Sequence, residues 1–495
     1  MARKKILVVG DVFLDRYFNG PATRISPEAP VTVVWCPQGQ VDFPGGAGNV
    51  AAAAADLGAK VGLLGAVGDD PDAGWLGAIL DSRGVWHNLV PTPRRTPVKV
   101  RVTAAGRHLA RADVEDTRVA YPREFFSTLR ERFNAVLPEV GVVVLSDYCK
   151  GALPQFFAKT LIDLCRAADV PVLADPKRDD LCLYDGCLAV TPNWREAVAA
   201  VSGLIELRGG YLNVDAENDN ATATDLVQMV AEVVPKTAHV IVTRGAFGCS
   251  WFDREKARTL HLPPAVNYAV DVTGAGDVFV AALAVGLVER GDRFDQAVRL
   301  ANAAAGLSVT HFGTGPVDRD EVFDLVDAGM GLAEKLMDAA DAAAWSERRK
   351  ARGERVVFTN GCFDVLHPGH MKVLRGAKAY GDRLVVAVND DHSVRRLKGE
   401  GRPLHALEDR MDVLAALDMV DAVVPFADDT PEKLVRLLKP DVLVKGAEYR
   451  GKRVPGADYV AGRGGRVEFV EMLPGHSTTR IVNGGTDGTA KQPAG

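Results

Sequence analysis

Short apolar runs suited to buried strands recur along the first part of the chain: KILVVG, KVGLLGAVG, GVVVLSDY, VPVLADP, CLAVTPN and HVIVTRG. Helical stretches lie between several of them, such as Gln155 to Ala168 and Asp225 to Val234. Strands alternating with helices predict an α/β fold, a mostly parallel sheet with helices on both faces. The segment 18–46, FNGPATRISPEAPVTVVWCPQGQVDFPGG, breaks this pattern. Its prolines and short β-type pieces predict a flap or small secondary sheet set off from the main layer. After GTGPVDRDEV the character changes, and residues 324–353 are Ala-rich, charged and without strand signals, which predicts a helical connector. A second alternation then begins with RVVFTNG and continues through DRLVVAVN, AVVPFA, DVLVKG and RVEFVEML. The final GGTDGTAKQPAG reads as a disordered tail. No internal repeat is visible, and the two α/β units differ in motif and length, so they read as a fusion. The expected boundaries are 1–318 for the first domain, 319–353 for the connector, 354–484 for the second domain and 485–495 for the tail.

Composition narrows the class. A chain of 495 residues exceeds one ordinary core and predicts two to three domains. A hydrophobic content of 47% with 25% charged residues is that of a globular protein. Net charge of −6 with a pI near 6.0 argues against a nucleic-acid partner, whereas an anionic small molecule depends only on local basic residues. The seven cysteines are odd in number and form no CxxC pair, which fits a reduced, intracellular protein. The N-terminal apolar run is too short for a secretion signal and ends at Gly10-Asp11. The longest other run, VFVAALAVGLV at 278–288, falls short of the ~20 residues needed to span a bilayer and reads as a buried helix. A cytoplasmic protein with no membrane partner is the expectation.

The most informative stretch of the first unit is DVTGAGDVFVAALAVGL, 271–287. Gly274-Ala275-Gly276 can bring backbone N–H groups close to a phosphate, and a helix N-terminus behind them forms an anion site. Asp277 falls in the first turn of that helix, where a carboxylate can accept the proton of a hydroxyl attacking a γ-phosphate. Taken singly, the same residues also describe a helix cap after a glycine turn. GDVFLDRY, PGGAGNVAAAAADLGA, DPK, TPNWREA and VTRGAFG precede this stretch in order. Together they resemble the ribokinase-like family of ATP-dependent sugar kinases over residues 4–318. The resemblance implies a three-layer α/β domain with a small β flap. It implies Asp277 as catalytic base and the backbone of Gly274, Ala275 and Gly276 as the anion hole. Asp15, Gly45, Gly46 and Asn49 match positions that hold sugar hydroxyls. Asn193 and Glu196 match the N-x-x-E that orders Mg²⁺ around the triphosphate. Thr243, Gly245 and Asn302 fall beside the nucleotide, and Asp271 and Thr273 resemble positions that hold a monovalent cation, K⁺. Family members often pair through the flap, so a homodimer is expected by analogy.

The segment LDRYFNGPATRISPEAPVTVV is similar to kinases that act on D-glycero-D-manno-heptose 7-phosphate. An already phosphorylated sugar needs cations to grip its phosphate, best as bidentate contacts, and Arg16, Arg24, Arg107 and Arg111 are the candidates.

In the second unit TNGCFDVLHPGHM, 359–371, places two histidines three residues apart. A zinc site wants further ligands at suitable spacing, and Cys362 has no CxxC partner. A general base needs a poor nucleophile to activate, and a plain helix-leading loop is the third alternative. GxFDxxHxGH backed by GHSTTRIV at 475–482 resembles the HxGH nucleotidyltransferases, over 354–484. The resemblance implies a Rossmann-like domain in which His367 and His370 donate N–H groups to the phosphates. A sugar 1-phosphate attacking an α-phosphate is already anionic and needs no base. Gly361, Phe363, Lys372, Lys398, Ser477 and Thr478 then surround ATP, and Asp364 positions the loop or substrate. Where many relatives carry Arg-Thr before the glycine, this chain has Met472-Leu473-Pro474-Gly475, and Lys445 is the candidate replacement cation.

Both halves in this order are similar to the family of bifunctional heptose 7-phosphate kinases/heptose 1-phosphate adenylyltransferases. That likeness implies phosphorylation at O1 and then adenylyl transfer from Mg²⁺-ATP, giving ADP-heptose for the lipopolysaccharide core, with a separate phosphatase acting between the steps. The alternative is another sugar or nucleoside kinase fused to a cytidylyltransferase-like domain with a different sugar or polyol phosphate.

Overall fold

The computed structural model describes residues 5–471 apart from 38, 105–106, 117, 208–215, 267, 291–292 and 329–334. The chain divides into two compact units, residues 1–329 and 330–495.

In the first unit the strands Trp86–His87, Val61–Gly68, Lys5–Gly10, Val140–Asp147, Val172–Pro176, Ala189–Val190 and His239–Thr243 run parallel in that spatial order. Cys249–Asp253 and Arg258–Leu262 extend the sheet antiparallel. The central strands are buried on both faces, which is why they read as continuous apolar runs. One core packs the helices Ala47–Asp56, Ala275–Arg290 and Phe294–Ser308 on one face. A second packs Arg123–Val136, Gln155–Ala167, Trp194–Leu207 and Asn220–Val233 on the other, completing three layers. The apolar run at 278–288 lies in Ala275–Arg290, and its residues from Val278 to Val285 are all buried.

The flap is a separate four-stranded sheet in the order Arg107–Val114, Val98–Ala104, Val12–Asn19, Gln40–Gly46. The segment 18–46 supplies only part of it, together with the small ribbon Arg24–Ile25/Thr32–Val33. The rest comes from 12–19 and 98–114, since Val12–Asn19 leaves the main sheet directly after Asp11.

The stretch 319–353 is divided between the units. Helix Arg319–Ala328 puts Val322 and Phe323 into the first core, and helix Ala339–Ala351 puts Ala342 and Trp345 into a core of the second. Each half is held by its own apolar residues.

The second unit is a five-stranded, wholly parallel sheet ordered Ala422–Phe426, Arg383–Asn389, Val356–Gly361, Val442–Gly446, Arg466–Val470. Strand order reverses between Val356–Gly361 and Val442–Gly446, and the C-terminal ends of such a pair form the binding crevice of open α/β sheets.

Two candidate active sites

In the first unit Asp277 sits at the start of helix Ala275–Arg290 and is buried. Tyr148 Oη donates to its Oδ1 at 2.6 Å, and Asn49 Nδ2 donates to its Oδ2 at 2.9 Å. Burial, aided by the Asp175 carboxylate, pushes the Asp277 carboxyl up to about 7; Lys177 and the two donors oppose the rise. Lys177 Nζ bonds Asp175 at 3.1 and 3.2 Å and lies 3.7 Å from Glu196. Burial disfavours its charge, but Asp175, Glu196 and Asp277 outweigh that and leave its pKa raised. A carboxylate poised near neutrality, at a helix N-terminus and beside a retained ammonium, can take a proton while the helix end faces a phosphate.

The sugar side is continuous with this carboxylate. Asp15 is buried and ion-paired to Arg101, and a Cβ on Gly45 would meet Asp15 Oδ2 at 2.7 Å and the Phe13 ring at 2.2 Å, so only glycine fits there. The structure therefore gathers Asp15, Gly45, Gly46, Asn49, Gly274 and Asp277. Three residues that sequence reasoning did not single out join them: Lys99, Arg101 and Tyr148. Lys99 Nζ stands 3.6 Å above the Phe13 ring and 5.0 Å from the Tyr148 ring, and burial pulls its pKa down to about 8. Lys99 and Arg101 pair in register with Asp15 and Tyr17 on one face of the flap. The alternation in VKVRVTA, with two cations two apart in an otherwise apolar strand, is the signal that could have found them.

The nucleotide side is a cavity of about 390 Å³ lined by Thr243, Gly245, Asn302, Ala275, Gly276 and Phe279 among others, with no charged residue among the described residues of its wall. Such a surface suits a purine base. Asn193 and Glu196 form a reciprocal cap: Glu196 Oε2 accepts from Asn193 N at 2.8 Å, and Asn193 Oδ1 accepts from Glu196 N at 3.0 Å. Their sequence spacing therefore has a structural use, and Glu196 Oε1 is the oxygen left toward Lys177. Asp271 accepts from Thr273 N at 2.9 Å and Gly313 N at 3.1 Å, pinning the approach to Gly274.

The four arginines divide. Arg16 gives its guanidinium to Asp42 at 2.8 and 2.9 Å and to Asp72 at 2.9 Å, which anchors the flap. Arg24 lies exposed on the small ribbon and Arg107 exposed at a strand end, and no contact among the described residues joins either to Asp15, Asn49 or Asp277. Arg111 pairs with Asp113 at 2.7 Å on the strand beside Arg101, where its charge also reaches Asp15.

In the second unit the HxGH loop leaves the C-terminal end of Val356–Gly361, at the strand-order reversal. His367 caps helix Pro368–Lys378, its Nδ1 accepting from Gly369 N at 3.1 Å. An accepting Nδ1 fixes the neutral tautomer with its proton on Nε2, so His367 presents an N–H donor. The His370 ring stacks on it at 3.9 Å, with Phe363 5.2 Å away on φ +45° backbone. Burial, with His367 and Lys398 nearby, pulls the His370 pKa down to about 4, so this ring is also neutral. Lys445, buried at the end of the adjacent strand, gives Nζ to Asn360 O at 3.1 Å, and burial lowers it to about 8. Asp364 is held by Arg402 and by Leu404 N at 2.6 Å, with Lys398 Nζ 4.0 Å away; these partners outweigh burial and keep its carboxyl below the usual range. It anchors the 398–404 loop. Arg410, not singled out by sequence, is buried and bonds Cys362 O at 2.5 Å and Asp391 at 2.7 Å, fixing the loop from beneath. Lys372 lines a groove with His367, Met371 and Arg375. Ser477 and Thr478 lie outside the described residues. No cluster of His, Cys, Asp and Glu suited to a metal ion occurs among the described residues, and the zinc alternative finds no ligand set there.

Fold and sites together define a sugar kinase joined to a nucleotidyltransferase. Residues 3–320 match the pfkB family carbohydrate kinases and 358–481 match the cytidylyltransferase-like family. The chain is 42% identical over 488 residues to the Bifunctional protein HldE of Shewanella sp. (strain ANA-3), covering 97% of each chain. It is equally 42% identical over 486 residues to that of Shewanella loihica (strain ATCC BAA-1088 / PV-4). The chain belongs to this family of bifunctional proteins and is a kinase and adenylyltransferase. Such enzymes generally use ATP with Mg²⁺. In fold, 66% of the chain overlays 99% of the Escherichia coli phosphofructokinase-2 in complex with potassium, with TM-score 0.53 and 20% identity. A ribokinase from Giardia lamblia gives TM-score 0.52 at 20% identity with the same coverage. No helix among the described residues is long and apolar enough to cross a membrane.

Proposed function

We propose that the first unit phosphorylates D-glycero-D-manno-heptose 7-phosphate at O1. The second unit, in this reading, transfers AMP from ATP to heptose 1-phosphate, giving ADP-heptose and pyrophosphate. The observation that carries the kinase half is the Asp277 carboxylate placed between the Asp15–Asn49–Lys99–Arg101 group and the nucleotide cavity. The O1 hydroxyl gives its proton to Asp277 as the oxygen attacks the γ-phosphorus. The γ-phosphorus–oxygen bond to ADP breaks, and the N–H groups of the helix start at Gly274–Gly276 meet the charge on the transferring phosphoryl. Lys99, Arg101 and Arg111 are the cations that grip the 7-phosphate. Asn193 and Glu196 are the residues that would orient Mg²⁺ carried by the triphosphate, which would supply neutralisation of phosphate charge, and Lys177 lies 3.7 Å from Glu196 Oε1. Asp271 and Thr273 are the residues that would hold K⁺, and exchanging K⁺ for tetramethylammonium should then lower the phosphorylation rate.

In the second unit the anionic sugar phosphate attacks the α-phosphorus without a base. His367, His370 and Lys445 supply donors and charge to the phosphates as pyrophosphate leaves. The protein is read as a cytoplasmic homodimer acting on small molecules.

Heptose 7-phosphate with ATP, and heptose 1-phosphate with ATP or CTP, assayed beside a panel of other sugar and polyol phosphates, tests the reading. Formation of the 1,7-bisphosphate and of ADP-heptose is expected. Turnover of another sugar phosphate in place of heptose 7-phosphate, or preference for CTP, would overturn it.

A further inference from the structure

We propose that Tyr148 is a positioning residue of the kinase: with Asn49, it fixes the orientation of the Asp277 carboxylate and sustains its ionised form. The inference rests on the reading of Asp277 as the base. Tyr148 arrives from the segment following strand Val140–Asp147, and Asn49 from helix Ala47–Asp56. One donor meets each carboxylate oxygen, at 2.6 and 2.9 Å, so rotation of the carboxylate about its Cβ–Cγ bond breaks at least one bond. Each oxygen keeps a further lone pair with which to receive a proton.

Tyr148 is itself held. Its backbone N–H donates to Asp11 Oδ2 at 2.9 Å, and the same buried carboxylate takes N–H groups from Lys150 and Ala152, each at 2.9 Å. Its ring meets Phe13 edge-on at 5.1 Å, and Lys99 and Lys177 stand 5.0 and 5.4 Å from it. The charged groups around Asp277 are therefore Asp175, Lys177 and, behind it, Glu196 on the nucleotide side. Lys99, Asp15 and Arg101 lie on the flap side, and Asp11 and Asp147 beneath Tyr148. Burial and the nearby carboxylates push the phenol well above its usual pKa, so it stays a donor through the working range.

The sign follows from what the donor stabilises. A hydrogen bond to the charged form favours ionisation, so its loss raises the carboxyl pKa and empties the reactive form first at low pH. A residue that served only packing would depress the rate by one factor at every pH.

The test is the kcat/KM profile for phosphoryl transfer from about pH 5.5 to about pH 9 on full-length Tyr148→Phe. Adenylyl transfer by the same sample reports the integrity of the chain. The acid limb should move up by about one pH unit, with loss of about tenfold near pH 6.5 that shrinks to about threefold or less above pH 8.5. The KM for ATP should hold. Replacement of Tyr148 by 3-fluorotyrosine keeps the shape, makes a stronger donor and should move the limb the other way. Wild-type limbs in both variants would overturn the inference. Asp277→Asn separates the two levels: substantial turnover there defeats the base reading itself. A dead Asp277→Asn beside an unmoved Tyr148→Phe limb defeats only the role of Tyr148.

Discussion

Asp277 is buried and His370 half-buried, and in each case removal from water favours the neutral form, with opposite consequences for the two reactions. As the proposed base Asp277 must be ionised, and burial lifts its carboxyl to about 7. Phosphorylation should therefore fall as pH drops below 7, and between about pH 7 and 8 the gain in ionised Asp277 should be offset by loss of charge on Lys99, which burial lowers to about 8, so kcat/KM should peak in that interval. His370, at about 4, stays neutral over that interval, but Lys445, lowered to about 8, loses part of its charge, so on the proposed reading adenylyl transfer should fall by about twofold or less from about pH 7 to 8. Rates of both reactions on one preparation check this, and parallel rises would count against it. Lys99 offers a second residue-scale outcome. If it grips the 7-phosphate, Lys99→Ala should raise the KM for heptose 7-phosphate by about tenfold or more while the KM for ATP stays put. The charged pair was legible in VKVRVTA only once the strand's two faces were known, because alternation alone does not say which face meets a ligand. Tyr148 carried still less signal, since an aromatic at a strand end is usually core.

Among the elements, helix Ala275–Arg290 was the most legible: glycines ahead of a long apolar run mark a buried helix with an exposed start. Its position depends on Gly274, which has φ +78°. A Cβ there would lie 2.5 Å from Thr314 Cγ2 and 2.6 Å from Asn49 Nδ2. Gly274→Ala thus strains the backbone and displaces the donor to Asp277 together. Phosphorylation should drop about a hundredfold, and the first unit should lose about 1–2 kcal/mol of stability, measured by denaturant unfolding. A drop in stability with unaltered turnover would show that Asn49 does not depend on this contact. The flap was only half legible. Val12–Asn19 follows Lys5–Gly10 after a single residue and is as apolar, so the switch from one sheet to another is decided by pairing with 40–46 and 98–104. Local pattern holds no record of such pairing. The N-x-x-E at 193–196 shows the converse, a motif whose local capping geometry is plain while its role toward Mg²⁺ depends on a triphosphate.

At the scale of the whole molecule, the chain joins a mostly parallel sheet and a wholly parallel one of different strand order, each with its candidate site at the C-terminal ends of its parallel strands. That much follows from two alternations of different length with different motifs between them. The chemistry says how tightly the two must cooperate. The kinase product proposed above carries phosphate at C1 and C7, whereas the second site takes a sugar bearing phosphate at C1 alone. A phosphatase must therefore act between the steps, and the intermediate must leave the first site to meet it. Separation of the activities should then cost nothing. Asp277→Asn should abolish phosphorylation and leave adenylyl transfer, and His370→Ala should do the reverse by at least about a hundredfold. An equimolar mixture of the two variants, supplied with the phosphatase, should make ADP-heptose at about the rate of the same concentration of each intact site. A mixture far slower than that, with each variant retaining its own partial reaction, would mean that the sugar passes between the sites without release.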